Sequence, residues 1–270
     1  MSFEIGHITN VMKQTELAEI KGVFFDLYGT LLILGDMKRA WSEWIEVLYA
    51  CLCPPERAVT RESFDDCCHQ FFSKEEPAAE TTDGLTVFER RINRLAASLG
   101  LQIELPLLKE TAHSAVNTWQ MQVQPDQEAP AVLSKLAESK TLALISNFDH
   151  PPHAYRILRE TGLATYFKTI VISGDVGIKK PDPGIFKIAL EQTGLNSDEV
   201  VYVGDTQEDV DGATAAGIKP MLIARPENPE RPKLLDYTRN HEVAERTALN
   251  NSVLTIRSLG ELIGLVQGKD

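Results

Sequence analysis

Four cysteines in 270 residues are too few and too crowded to staple a fold: they stand at Cys51, Cys53, Cys67 and Cys68. Secreted disulfide scaffolds carry more of them, spread more evenly. Structural zinc sites put two or more residues between paired ligands, which Cys-x-Cys and Cys-Cys do not. Reduced thiols in a helical segment are the reading that remains. The sequence also lacks any apolar run near the ~20 residues of a membrane span. Residues Met1 to Gln14 carry Glu4 and His7 and no apolar stretch of signal-peptide length, so a cytoplasmic chain is expected. Basic residues are scarce, 27 Lys and Arg against 39 Asp and Glu, for a net charge of −12. That balance argues against a broad nucleic-acid-binding surface. A small anionic ligand stays possible, because a few local cations or a bound metal reverse the potential within one cleft. Oligomeric state leaves no mark in the sequence.

What is present is ordinary globular material, 43% hydrophobic and 24% charged, enough for one large or two modest domains. The first strand signal is Val23-Phe24-Phe25-Asp26-Leu27-Tyr28, ending at Gly29. From Met37 to about Met121 the periodicity turns helical. Trp41, Trp44, Ile45 and Leu48 recur at three- and four-residue spacing. So do Phe64, Cys67, Cys68, Phe71 and Phe72, then Phe88, Ile92, Leu95 and Leu99. A fourth helix is predicted over Leu107 to Met121. Past Pro130, short apolar runs at 141–146, 169–173, 200–203 and 220–224 alternate with helical stretches at 130–138, 153–161, 183–193 and 208–216. Alternation of this kind builds βαβ units. The expected fold is α/β: a Rossmann-like parallel sheet with helices on both faces, residues 1–35 and 124–270, interrupted by an all-helical cap, residues 36–123. Val253 to Ile256 is predicted as a last edge strand and Ser258 to Val266 as a closing helix. The polar stretch 225–251 shows no readable pattern.

Open parallel sheets bind ligands beyond the carboxyl ends of their strands. There this sequence places Asp26-Leu27-Tyr28-Gly29-Thr30, Ser146-Asn147 and Gly204-Asp205 through Asp209, with Lys180 just before a helix. Three carboxylates on one edge, Asp26, Asp205 and Asp209, repel one another unless a divalent cation sits among them. Oxygen-only ligands suit Mg²⁺. Lys180 offsets remaining charge, and Gly29 and Thr30 offer N–H and hydroxyl donors to phosphate oxygens. His150 and His153 read as a helix start, with a substrate contact as the alternative. Trp41 and Trp44 read as core, and Asp36, Arg39, Arg57 and Arg61 as solvated positions.

In this order the segments resemble the four motifs of the haloacid dehalogenase (HAD) superfamily, in the branch whose helical cap follows motif I. They are Phe25-Asp26-Leu27-Tyr28-Gly29-Thr30-Leu31, Ile145-Ser146-Asn147, Lys180-Pro181-Asp182-Pro183, and Val203-Gly204-Asp205 through Asp209 with Gly212-Ala213. The resemblance implies that Asp26 is a nucleophile forming an aspartyl intermediate. It implies that Thr30 and Ser146, with Asn147 nearby, hold the transferring group, and that Lys180 stabilises charge. It further implies Mg²⁺ bound by Asp26, Asp205 and the Tyr28 carbonyl, with Asp209 serving that metal's shell or Lys180. Tyr28 departs from the superfamily's phosphatases, which usually place a second aspartate there as acid and base. It resembles instead the metal-free L-2-haloacid dehalogenases. Asp205 and Phe186 pull the other way, since those dehalogenases generally lack the acid at the first position and usually carry tyrosine at the second. Three functions stay open: Mg²⁺-dependent hydrolysis of small phosphate monoesters, metal-independent dehalogenation of L-2-haloacids, and a catalytically weak protein that binds a ligand or partner.

Overall fold

The computed structural model describes residues 17, 19–54, 57, 59–68, 71, 83–225 and 253–266. The stretch 1–14, Phe72 and the 225–251 stretch apart from Arg225 lie outside the described residues. From β1 (Gly22–Phe25) the chain turns tightly into β2 (Leu32–Leu34) and then into α1 (Met37–Leu52), α2 (Arg61–Cys68), α3 (Val87–Ser98) and α4 (Leu105–Gln120). It returns through β3 (Val123–Pro125), α5 (Ala129–Ala137), β4 (Thr141–Ser146), α6 (Pro151–Glu160), β5 (Thr169–Ile172) and the single turn α7 (Ser173–Val176). The remainder is α8 (Pro183–Thr193), β6 (Val200–Gly204), α9 (Gln207–Ala215), β7 (Lys219–Ile223), β8 (Leu254–Ile256) and α10 (Gly260–Val266).

Six strands form one parallel sheet in the order β5-β4-β1-β6-β7-β8, with β8 at the edge. Alternate side chains go to opposite faces, as a pleated strand requires. Val23, Phe25, Leu142, Leu144, Val201 and Val203 pack with residues of α5, α6 and α10 on one face. Phe24, Ala143, Ile145, Val200 and Tyr202 pack with residues of α8 and α9 on the other. Burial on both faces is why these strands read as near-continuous apolar runs. The α/β expectation holds. No described helix is long and apolar enough to cross a membrane.

The four helices between β2 and β3 have their own core, with Trp44, Leu48, Leu52, Phe64, Phe88, Ile92 and Ala112 buried together. Burying a side chain such as Leu48 or Phe64 contributes about 1.5–3 kcal/mol. Trp44 is buried and stacks on Trp41 at 4.8 Å, the core role expected of both. All four thiols are free, and Cys53 and Cys68 are buried in this core. Asp36 caps α1 by accepting the Arg39 N–H, and Thr86 caps α3 in a reciprocal box with Glu89.

Two local features differ from expectation. The sheet segment of β1 ends at Phe25, not at Tyr28. Beyond it the Leu31 and Leu32 amides both bond back to the Leu27 carbonyl, at 2.9 and 2.8 Å, and fold the strand end into a turn. The second is an unforeseen antiparallel ribbon, in which Leu32, Ile33 and Leu34 pair with Pro125, Gln124 and Val123. It fastens together the two chain segments that lead into and out of the helical residues.

Candidate active site

Because β1 lies between β4 and β6, the residues following these strands meet at one edge. Asp26 is buried there, its N–H tied to the Val203 carbonyl at 2.9 Å. Lys180, also buried, sets its ammonium 2.6 Å from Asp26 Oδ1 and 2.6 Å from Asp209 Oδ1. The same Nζ reaches Tyr202 Oη at 3.1 Å and the Ile145 carbonyl at 3.4 Å. Burial works against the Lys180 charge, but Asp209 and Asp26 outweigh it and raise its pKa well above the ordinary range. Burial pushes the Asp26 carboxyl up to about 6, with Lys180 pulling it down and Asp209 adding to the rise.

Asp209 is fully engaged by protein donors. Its Oδ1 accepts Lys180 and, at 3.0 Å, Tyr202 Oη–H. Its Oδ2 accepts the Asp205 N–H at 3.2 Å, the Thr206 N–H at 3.0 Å and the Thr206 hydroxyl at 2.7 Å. Despite its burial these donors, Lys180 foremost, hold its pKa below the usual carboxylate value. Of the two roles implied for Asp209, these contacts match the one toward Lys180.

Carboxylate oxygens of Asp26, Asp205 and Asp209 all lie within 4.8 Å of one another. With Asp209 held by Lys180, Tyr202 and Thr206, Asp26 and Asp205 supply the other carboxylates of this group. The chain makes room for them: Gly29 has φ +93°, and a Cβ there would stand 2.2 Å from Asp205 Oδ2. A hard, all-oxygen donor set of this kind fits Mg²⁺.

The remaining predicted residues divide into two groups. Ser146 Oγ is buried at the end of β4 with no partner among the described residues, an orphan of the kind a ligand oxygen satisfies. Thr30 is fully buried, and its hydroxyl donates to Asp205 Oδ1 at 3.3 Å. Asn147 and the Gly29 amide are turned away from the expected substrate role. The Asn147 Oδ1 accepts the Lys180 N–H at 2.8 Å and its Nδ2 donates to the Lys180 carbonyl at 3.0 Å, so the side chain clamps the backbone that carries the lysine. The Gly29 N–H donates to the Leu32 carbonyl at 2.7 Å, closing the turn.

The Tyr28 ring stacks on Phe148 at 4.8 Å and meets Trp119 of α4 edge-on at 5.1 Å. Its hydroxyl is buried without a partner among the described residues, and burial, reinforced by the Asp26 charge, raises its pKa far above the ordinary value. At neutral pH it is a protonated phenol. Beside it, α6 faces the helical module along one stripe of residues three apart. His150 Nδ1 meets Thr86 Oγ1 at 2.9 Å, His153 Nε2 meets Gln120 Oε1 at 3.0 Å, and Arg156 donates to Asn117. Arg91 and the Phe88 N–H join this seam through Asp149, both at 3.0 Å. Both histidines are therefore structural partners of the seam, the helix-start reading with a specific function added. Sequence reasoning missed two residues here. Tyr202 lay unremarked within the strand expected at 200–203, and Arg225 stood at the edge of a stretch without pattern.

Residues 20–217 match the family model described as haloacid dehalogenase-like hydrolase. The phosphoserine phosphatase of Thermus thermophilus is 39% identical over 109 residues, 38% of this chain and 43% of its own length. The chain spans less than half the length of the first curated relatives it matches. Among solved structures, a HAD phosphatase from Thermococcus onnurineus superposes with a TM-score of 0.61 at 22% identity, covering 93% of this chain and 99% of that one. A 2-haloacid dehalogenase from Pseudomonas syringae pv. Tomato DC3000 gives 0.58 at 24% identity, covering 92% and 98%. Likeness at these identities speaks for a shared fold and does not choose between their chemistries.

Proposed function

The chain belongs to the haloacid dehalogenase-like hydrolase family, and from that premise we propose that it is a cytoplasmic, Mg²⁺-dependent hydrolase of small phosphate monoesters with Asp26 as nucleophile. The observation that carries this reading is the Asp26–Asp205 pair. Their carboxylates lie within 4.8 Å in a mostly buried edge, beside the Lys180 ammonium that bridges Asp26 to Asp209. Bound Mg²⁺ would neutralise that pair and the negative charge of a phosphoryl group. The phosphatase names among the relatives fit the same chemistry.

In this reading Asp26 attacks phosphorus, and the ester oxygen leaves as an aspartyl phosphate forms; water then cleaves that intermediate. Lys180 keeps Asp26 ionised despite its burial and faces the developing charge. Ser146 Oγ, without a partner among the described residues, is a donor for a phosphoryl oxygen, while the Thr30 hydroxyl serves Asp205. Asn147 fixes the backbone of Lys180 rather than the substrate. The helical residues 36–123 act as a cap, joined to the α/β part through the α6 seam. Tyr28 offers no carboxyl to protonate a leaving group, so turnover is slow.

A metal-independent haloacid dehalogenase is the second reading, favoured by Tyr28 in the position two residues past Asp26. The deciding experiment assays a phosphate-ester panel and L-2-chloropropionate, each with Mg²⁺ and with EDTA. Phosphate release that requires Mg²⁺, abolished in a folded Asp26→Asn variant, is expected. Halide release that survives EDTA replaces the first reading with the second, and inactivity on both sets removes both.

A further inference from the structure

Arg225 follows β7 directly, yet its side chain reaches the turn beyond β1. Nη1 donates to the Gly29 carbonyl and Nη2 to the Thr30 carbonyl, each at 2.6 Å. The same Nη2 pairs with Asp126 Oδ2 at 2.5 Å, and both side chains are largely buried. Asp126 extends the arrangement: its N–H donates to the Leu31 carbonyl at 2.9 Å, and its Oδ1 accepts the Glu128 N–H at 2.8 Å. One planar fork thus gathers two consecutive carbonyls of the nucleophile loop and the carboxylate that follows β3. A guanidinium holds such acceptors in one fixed plane, which an ammonium on its flexible stem does not.

The consequence follows from peptide geometry. In a trans peptide the C=O and N–H point in opposite directions, and Lys180–Pro181 is the one cis bond among the described residues. With the Gly29 carbonyl drawn to Arg225, the Thr30 N–H of the same peptide points away from the guanidinium. That N–H donates to no backbone carbonyl among the described residues. The Leu31 N–H, opposite the Thr30 carbonyl, closes the turn onto Leu27 at 2.9 Å. We propose that Arg225 is a positioning residue for the nucleophile loop: it fixes the Gly29–Thr30 peptide so that the Thr30 N–H is presented as an anion donor, and through Asp126 it ties both cap connections to that loop. No substrate contact is assigned to Arg225 itself. The effect on turnover rests on the phosphatase reading; the effect on loop geometry does not.

The test uses the full chain with Arg225→Gln and Arg225→Lys. Two readouts are taken on folded protein: the kcat and KM for p-nitrophenyl phosphate with Mg²⁺, and amide hydrogen exchange of the segment 26–34 against the rest of the sheet. Residues that orient a site without touching substrate typically contribute about 10–100-fold. Arg225→Gln is expected to lose kcat in that range with KM changed less than about threefold, alongside faster exchange confined to 26–34. Arg225→Lys, which keeps the charge beside Asp126 but not the fork, is expected to recover only part of both. Unchanged kcat together with unchanged exchange of 26–34 overturns the proposal, as does full recovery by lysine. If Arg225→Gln does not fold, Arg225→Lys is judged on the same two readouts. If the wild type releases no phosphate, the functional reading has failed, and exchange of 26–34 alone decides the role of Arg225.

Discussion

Replacing Lys180 with methionine keeps an unbranched side chain and removes the charge that joins Asp26 to Asp209. In the metal-free protein those two carboxylates are buried and each lies 2.6 Å from the ammonium. Breaking a buried pair by removing one partner costs about 3–5 kcal/mol, because the abandoned charge stays buried. Here two carboxylates are abandoned, although Tyr202, Thr206 and the Asp205 amide still serve Asp209. A loss of about 4 kcal/mol at pH 7 is the expected size, which at a urea slope of about 2–3 kcal/mol/M lowers the midpoint by roughly 1–2 M. The pH dependence fixes the cause. Asp26 already titrates near 6 with Lys180 present, and removing the lysine moves both carboxyls upward. Protonation at pH 5 then relieves the buried charge in the variant, so the deficit relative to wild type shrinks as pH falls from 7 to 5. Urea melts of both proteins at the two pH values, in EDTA, make the measurement. A deficit below about 1 kcal/mol, or one equal at pH 5 and pH 7, refutes the view that this ion pair holds the cluster together.

Tyr28→Asp is expected to accelerate alkyl-phosphate hydrolysis more than aryl-phosphate hydrolysis, since a positioned acid–base group contributes roughly 10²–10⁴-fold where the leaving group needs a proton; equal slowing of both would make Tyr28 a working part of the reaction. His153 is kept neutral by burial and by Arg156, with its pKa pushed down to about 3. Its contribution to stability is complete above the unfolded value of about 6.5 and is lost as pH falls toward 3, by up to ~1.4 kcal/mol per unit. His153→Gln should therefore flatten the decline of Tm between pH 6.5 and pH 4; an unchanged slope would contradict the buried neutral ring. Burial pushes the Cys68 thiol up to about 12. Iodoacetamide at pH 8 should label half-buried Cys67 well before Cys68 in the native protein, and equal rates would contradict the packing of α2.

The sheet was legible because its strands are short apolar runs set between helical stretches, and the helices because their apolar positions recur at three and four. The site was legible for a simple topological reason: Asp26, Ser146 and Asp205 each end or follow a strand, and parallel strands bring their carboxyl ends together. What could not be read is what each group points at. Asn147 and Ser146 are adjacent polar residues after β4, yet one clamps the Lys180 backbone and the other is left open. Asp205 and Asp209 stand one helical turn apart, but only the second lies where Thr206 caps α9 and Lys180 arrives from another loop. The β2–β3 ribbon joins three-residue strands far apart in sequence, too short for any periodicity to announce. Arg225 is legible only after folding, because its partners Gly29, Thr30 and Asp126 are all distant in sequence.

The central claim is that Asp26 and Asp205 form a divalent-cation site, and isothermal titration of Mg²⁺ into the wild type and into Asp205→Ala tests it most directly. One Mg²⁺ site in the wild type, lost or strongly weakened in the folded variant, is the expected result. Equal affinity in the two proteins, or no binding in either, would contradict it and return the metal-free dehalogenase to the front.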